Sequence, residues 1–283
     1  MLSRGALLLR ARLSPARAGL SSAVVSSPAM RWAVGGWTFF IAENLVLSES
    51  REHVIDAIGE PRYRLLYGCM STAACVSIAV GFRRITGAMP LQWAAGASPP
   101  RTRLAACFLL QAVGFAGLAQ SLPKLQIPFS RPQKDMAIDS GKTDGDSPAQ
   151  SWTVRCPFDF SKHEGLHGAQ RISRNASLWS FAAVCLGAAS VVPSVPQAVC
   201  LAMPTAVALI GGAHHDSRQR RGMGGHLSAE FDAQTSNIPG IALLSGAQGD
   251  PGSAIRAMIH EIKSLNACLG VGCALLFVLR HAR

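Results

Sequence analysis

Six apolar stretches, spaced along the chain by short polar segments, constrain this sequence more than any other feature. They are RWAVGGWTFFIAENLVL (31–47), RLLYGCMSTAACVSIAVGF (64–82), LAACFLLQAVGFAGLAQSL (104–122), SLWSFAAVCLGAASVV (177–192), VPQAVCLAMPTAVALIGGA (195–213) and NACLGVGCALLFVL (266–279). A helix needs about 20 residues to cross roughly 30 Å of hydrocarbon. Lipid offers the backbone no hydrogen-bond partner, so a segment of this kind must satisfy itself as a helix. The expected fold is therefore all-α, a polytopic transmembrane bundle of about six spans. Gly, Ala and Ser recur at three- and four-residue spacing, which lets helices approach closely in lipid.

Composition agrees. Only 15% of the 283 residues are charged and 49% are hydrophobic, against about 25% charged in an average soluble domain. The net charge of +11 does not indicate nucleic acid, because no run of five Lys/Arg and no aromatic interleaving accompanies it. The lipid bilayer is the expected partner. Of the eight cysteines, all except Cys156 fall in apolar stretches and no pair forms CxxC. They read as buried free thiols and not as a metal cluster.

The first 42 residues contain no acid but carry Arg4, Arg10, Arg12, Arg17, Arg31 and six serines. That bias predicts an organelle transit peptide over 1–28, for a mitochondrion or a plastid. Residues 29–122 then hold the first three spans. Residues 123–175 form a polar loop with a disordered insertion, SRPQKDMAIDSGKTDGDSPAQS. Residues 176–283 hold the last three spans and an amphipathic interfacial helix over 250–265. That helix carries Ile255, Met258, Ile259, Ile262 and Leu265 at helical spacing, with Asp250 and Pro251 as start signals.

With six spans, the polar stretches 49–64, 167–175 and 214–221 share one membrane face. It gathers Arg62, Arg171, Arg174, Asp216 and Arg218 into a candidate site, or into a headgroup belt. His214 and His215 sit at the end of the fifth stretch, and Asp216 is placed to orient an imidazole through its second nitrogen. HEGLH (163–167) matches the zinc-hydrolase spacing. Gly165 and Gly168, a polar setting and the lack of a third ligand argue against a metal site there.

Four motifs resemble a known family. GEPRYRLLYG (59–68), RISRNASLW (171–179), GGAHHDSRQRRGMG (211–224) and TSNIPGIALLSG (235–246) are similar, in this order, to the motifs of the NnrU family of membrane proteins, which includes the zeta-carotene isomerase branch. The resemblance implies a membrane helix bundle, a haem b held between helices, and isomerase- or redox-type activity on a hydrophobic, carotenoid-like substrate. Several implied histidine positions are changed: they hold Asn44, Ala188 and Asn175, and the proline after the last is Ala176. Asn and Ala do not ligate haem iron. Cys185 keeps an implied ligand position, and with His214 and His215 it completes the haem candidates. Two other readings stand beside this one. One is a non-catalytic membrane scaffold that has lost the ligands. The other is an isoprenylcysteine-type membrane methyltransferase, whose Arg-His-Pro loop is here Arg174-Asn175-Ala176.

Overall fold

The computed structural model describes residues 28–88, 99–125, 129–130, 153–154, 158–159, 165–192 and 194–282. The expected transit peptide, apart from Pro28, and the expected insertion, apart from Ser130, lie outside the described residues. So do His163 and Glu164 of the HEGLH stretch.

The fold is helical. Pro28–Glu49 (α1) leads through the short Arg51–Ile58 (α2) into Glu60–Ala88 (α3), and Arg101–Gln120 (α4) follows. Two antiparallel two-residue ladders come next. They pair Lys124–Leu125 with Phe158–Asp159 and Phe129–Ser130 with Thr153–Val154. A 3-10 turn at Gly168–Arg171 precedes Ala176–Val191 (α5). Val195–Ala206 (α6) continues through a π turn at Val207–Gly211 into Gly212–Arg220 (α7). The chain closes with Ala229–Gln234 (α8), Ile241–Leu244 (α9), Pro251–Glu261 (α10) and Ser264–Ala282 (α11).

Local chemistry accounts for several of these ends. Ser194 Oγ accepts from the Gln197 amide at 3.3 Å, and Pro196 occupies the first turn of α6, where no amide partner is needed. Asp250 caps α10 by accepting from the Ser253 amide at 2.8 Å. Gly59, at φ 84°, breaks the chain between α2 and α3 in a conformation that favours glycine.

Among the described residues, four helices are long and apolar enough to cross a membrane: 60–87, 101–120, 195–220 and 264–281. The apolar α5 is shorter, at 16 residues. The fifth apolar stretch ends at residue 213, which places the polar 214–221 outside the expected span. Instead the helix runs on to Arg220, because the polar residues after Gly212 are tied down by neighbours described below. The expected amphipathic helix over 250–265 also ends early. Ile262 leaves the helix in extended conformation (ψ 130°), and Ser264 and Leu265 open α11.

Packing is inside-out relative to a water-soluble core. Many of the most buried positions are small, with Ala74, Ala208 and Ala274 fully enclosed, whereas Leu65, Val113, Leu109 and Leu276 are each more than 60% exposed. A hydrocarbon solvent makes that arrangement stable, since large apolar side chains gain little by leaving lipid. In the bundle α4 lies between α5 and α11, and α5 lies between α4 and α6. The α1–α3 pair packs on itself and meets α6 and the π turn. Gly270 lets α11 close on α4: a Cβ there would come within 2.6 Å of the Ala116 amide nitrogen and the Phe115 carbonyl carbon.

Candidate functional site

A carboxylate lies inside the α1–α3 seam. Glu43 is 4% exposed. Its Oε1 accepts from Ser71 Oγ at 2.7 Å and from Asn44 Nδ2 at 2.7 Å, while its Oε2 has no partner among the described residues. Asn44 Nδ2 also donates to the Phe40 carbonyl at 2.8 Å, and Asn44 Oδ1 accepts from the Tyr67 hydroxyl. The Tyr63 hydroxyl donates to the Leu47 carbonyl at 2.8 Å. Ser71 lies within the 60–87 candidate span, seven residues beyond the exposed Arg64, a depth of about 10 Å along a helix. An ionisable group at that depth is costly and is usually functional. Glu43 was not among the expected site residues. Its signal was a single acid in an otherwise apolar stretch.

Next along α1, Ser48 Oγ lies 2.7 Å from His214 Nε2 of α7. Glu49 takes both ends of the Arg221 guanidinium, at 2.6 and 2.9 Å. That pairing holds the Glu49 carboxyl below its usual range. His215 is exposed on the other side of α7 and meets Gln219 at 3.3 Å. Neither imidazole is oriented by Asp216, contrary to expectation, because residues one and two positions apart on a helix point in different directions.

Asp216 instead faces α5. Its Oδ1 accepts from Asn175 Nδ2 at 3.1 Å, and its Oδ2 lies 3.5 Å from Arg174 Nη1. The Arg174 side chain is 6% exposed, and Nη1 also reaches Asp232 Oδ1 at 2.6 Å. Arg220 makes a two-pronged contact with Asp232, at 2.6 and 2.8 Å. The Arg220 bond, with Arg174 beside it, draws the Asp232 pKa down to about 2. The Arg174 backbone amide donates to Ser236 and the Gly240 amide to Ile172, which lays 235–240 across the start of α5.

Asn237 links this junction to the π turn. Its side-chain oxygen accepts from Asn175 Nδ2 at 3.0 Å and Trp179 Nε1 at 3.3 Å. Its amide donates to the carbonyls of Leu209 at 3.2 Å and Ala208 at 3.4 Å. A π turn displaces carbonyls from the α pattern, and Asn237 supplies a donor to two of them. Gly212 makes room for it, since a Cβ there would overlap Asn237 Oδ1.

Arg171 belongs to a separate clamp. Glu261 at the end of α10 accepts from Arg171 Nη2 at 2.6 Å, Arg171 Nε at 2.8 Å and the Gly168 amide at 2.7 Å. These bonds, Arg171 first, lower the Glu261 pKa to about 2. His167, the last residue of the HEGLH stretch, stands 3.7 Å from the same carboxylate. The five residues expected on one face are thus distributed. Arg174 and Asp216 meet, Arg171 is held by Glu261, and Arg62 is exposed on the first turn of α3. Arg218 keeps its Nε and Nη2 buried without a hydrogen-bond partner among the described residues.

The donor set does not fit a haem. Asn44 and Asn175 are engaged as hydrogen-bonding amides. Because Asn175 meets Asp216 across the α5–α6 hairpin, Cys185 lies level with about residue 206 of the partner helix. His214 is then eight residues further on, about 12 Å along the axis. One iron cannot take both as axial ligands. Compared with protein-family models, curated proteins and solved structures, the chain has no match in any of the three.

Proposed function

We propose that this chain is an integral membrane protein of the NnrU type, with α1 and α5 completing six spans. It isomerises a lipophilic, carotenoid-like substrate by proton transfer at the α1–α3 seam. One observation carries the reading: the Glu43 carboxyl is buried beside Tyr67 with one oxygen lacking a hydrogen-bond partner among the described residues. A carboxyl in an apolar site can give a proton to an alkene carbon and take it back after the bond has rotated. Ser71 and Asn44 hold the other oxygen and so aim the group. Leu65 and Leu66, next to Tyr67 on α3, offer an exposed apolar surface to such a substrate.

The test uses membranes carrying the full chain, given a panel of cis-polyenes, with isomers separated by chromatography. Glu43→Gln abolishes conversion at unchanged abundance, Tyr67→Phe slows it, and Cys185→Ala leaves it intact. A Soret band lost in Cys185→Ala would overturn the haem-free chemistry.

The runner-up, a scaffold without catalysis, is favoured by the ion pairing of Arg171 with Glu261 and of Arg174 with Asp216 and Asp232. Absence of conversion across the panel selects it. The acid-free leader supports residence in an organelle membrane. A reporter fused to residues 1–30 that stays cytosolic would remove that assignment.

A further inference from the structure

We infer that one end of the bundle is a docking surface for the anionic phospholipid headgroups of a single leaflet. The inference rests on the membrane reading of the bundle and not on the Glu43 chemistry. Packing gathers several helix ends there. The Arg84 guanidinium lies over the Trp32 ring, 5.2 Å from its centroid, which joins the end of α3 to the start of α1. Ser190 Oγ donates to the Arg103 carbonyl at 3.4 Å, which joins the end of α5 to the start of α4. Ile85 of α3 clusters with Cys200 of α6. The α11 helix runs antiparallel to α4, with Lys263 bonded to Gln120 and Gly270 against Ala116, so Arg280 reaches the level of about residue 106.

Charge selects the sign of the partner. Arg31, Arg83, Arg84, Arg101, Arg103 and Arg280 are all exposed at this end. The segments that form it, 28–42, 83–104, 191–196 and 280–283, contain none of the chain's 16 Asp and Glu residues. Every ion pair among the described residues lies at the opposite end, where Arg51, Arg171 and Arg221, for example, meet Glu60, Glu261 and Glu49. Depth selects the source of the counter-charge. The rise from Arg31 to Glu49 along α1, or from Arg64 to Arg83 along α3, is about 27–29 Å, close to the roughly 30 Å of hydrocarbon. Exposed apolar residues adjoin the arginines, with Val80 one turn before Arg83 and Leu276 one turn before Arg280. The guanidinium groups thus stand at headgroup depth, and Trp32 beside them is the kind of amphipathic ring that favours that depth. Basic clusters at this boundary are drawn to anionic lipid.

The experiment inserts the purified full chain into vesicles of phosphatidylcholine mixed with phosphatidylglycerol. Spin-labelled forms of the two lipids report which of them the protein holds at its boundary. The wild type prefers phosphatidylglycerol about fivefold. Arg83→Gln with Arg84→Gln, and Arg101→Gln with Arg103→Gln, each lower the preference, and the four together bring it close to unity. Arg62→Gln with Arg256→Gln removes the same charge from exposed positions at the opposite end and leaves the preference unchanged. Should the first variants fail to fold, the wild type decides by salt: the preference must collapse at about 1 M, where the Debye length is about 3 Å. Equal association of the two lipids, an equal effect of the opposite-end pair, or a preference that survives such salt overturns the proposal. So does displacement of the lipid by soluble polyglutamate, which would assign the face to an acidic protein. A chain that does not insert into vesicles overturns the membrane reading and this proposal with it, whereas an inserted chain without the preference overturns this proposal alone.

Discussion

Replacing Glu261 by Gln removes the negative charge that fastens α10 to the turn before α5. In the wild type that carboxylate takes three hydrogen bonds, of 2.6, 2.7 and 2.8 Å, two of them from Arg171. Its pKa falls from 4.5 to about 2, which at neutral pH corresponds to about 3 kcal/mol of docking free energy. The side chain is 20% exposed and Arg171 16%, so water screens the pair only partly. Glu261→Gln also leaves the guanidinium without its anion. Hydrogen exchange in detergent micelles at pH 7 should show protection of the α10 amides and of 168–175 reduced by about a hundredfold. The pH dependence has a definite sign. Because the folded pKa is depressed, the contribution is complete above pH 4.5 and fades as pH falls towards 2. Wild-type protection, corrected for intrinsic rates, should decline in that window, and the variant should show no such step. Equal protection of the two proteins at pH 7 would refute the clamp.

Three further substitutions test the packing. Asn237→Ala strips the donors from the Ala208 and Leu209 carbonyls and should cost about 1–3 kcal/mol. Faster proteolytic nicking within 228–245 would register it. Asp216→Asn removes a buried negative charge 3.5 Å from Arg174 but leaves Asp232 in place. Folded yield should fall modestly, and Asp216→Asn combined with Asp232→Asn should fall far more than either alone. Gly270→Ala forces α11 away from the α4 backbone and should lower the thermal midpoint in detergent by about 1–3 kcal/mol equivalent. An unchanged midpoint would mean that the two helices can shift apart without cost.

The helical character, the order of the apolar stretches and the start of α10 were legible in the sequence. They depend on local signals: apolar length, and the capping pattern Asp250-Pro251. The placement of Arg174 and Asp216 on one face was legible, since both stand at the open end of one short hairpin. The other acids that meet these arginines were not legible. Asp232 and Glu261 lie 58 and 90 residues from their arginines, and nothing local ties such distant positions. The helical continuation through 214–220 was hidden for the same reason, since its polar residues are stabilised by α1, α5 and the 235–240 segment. Glu43 could have been found. It stands alone among apolar neighbours, and its meaning depended on recognising that Ser71 and Asn44 would reach it, with Tyr67 bonded to Asn44.

The π turn at Val207–Gly211 sets the angular phase of everything after it. Such a turn holds one residue more than an α turn, and one residue on an α-helix is worth about 100° of rotation. Deleting a single residue from this uncharged stretch would repair the helix locally and improve its hydrogen bonding. It would also swing Asp216 away from Arg174 and Asn175, His214 away from Ser48, and Arg221 away from Glu49. A small in-frame loss in a featureless apolar run would thus do more damage to the polar junctions than most substitutions within them. Lengthening the run by a whole helical turn would preserve the phase but carry those same side chains about 5 Å beyond their partners.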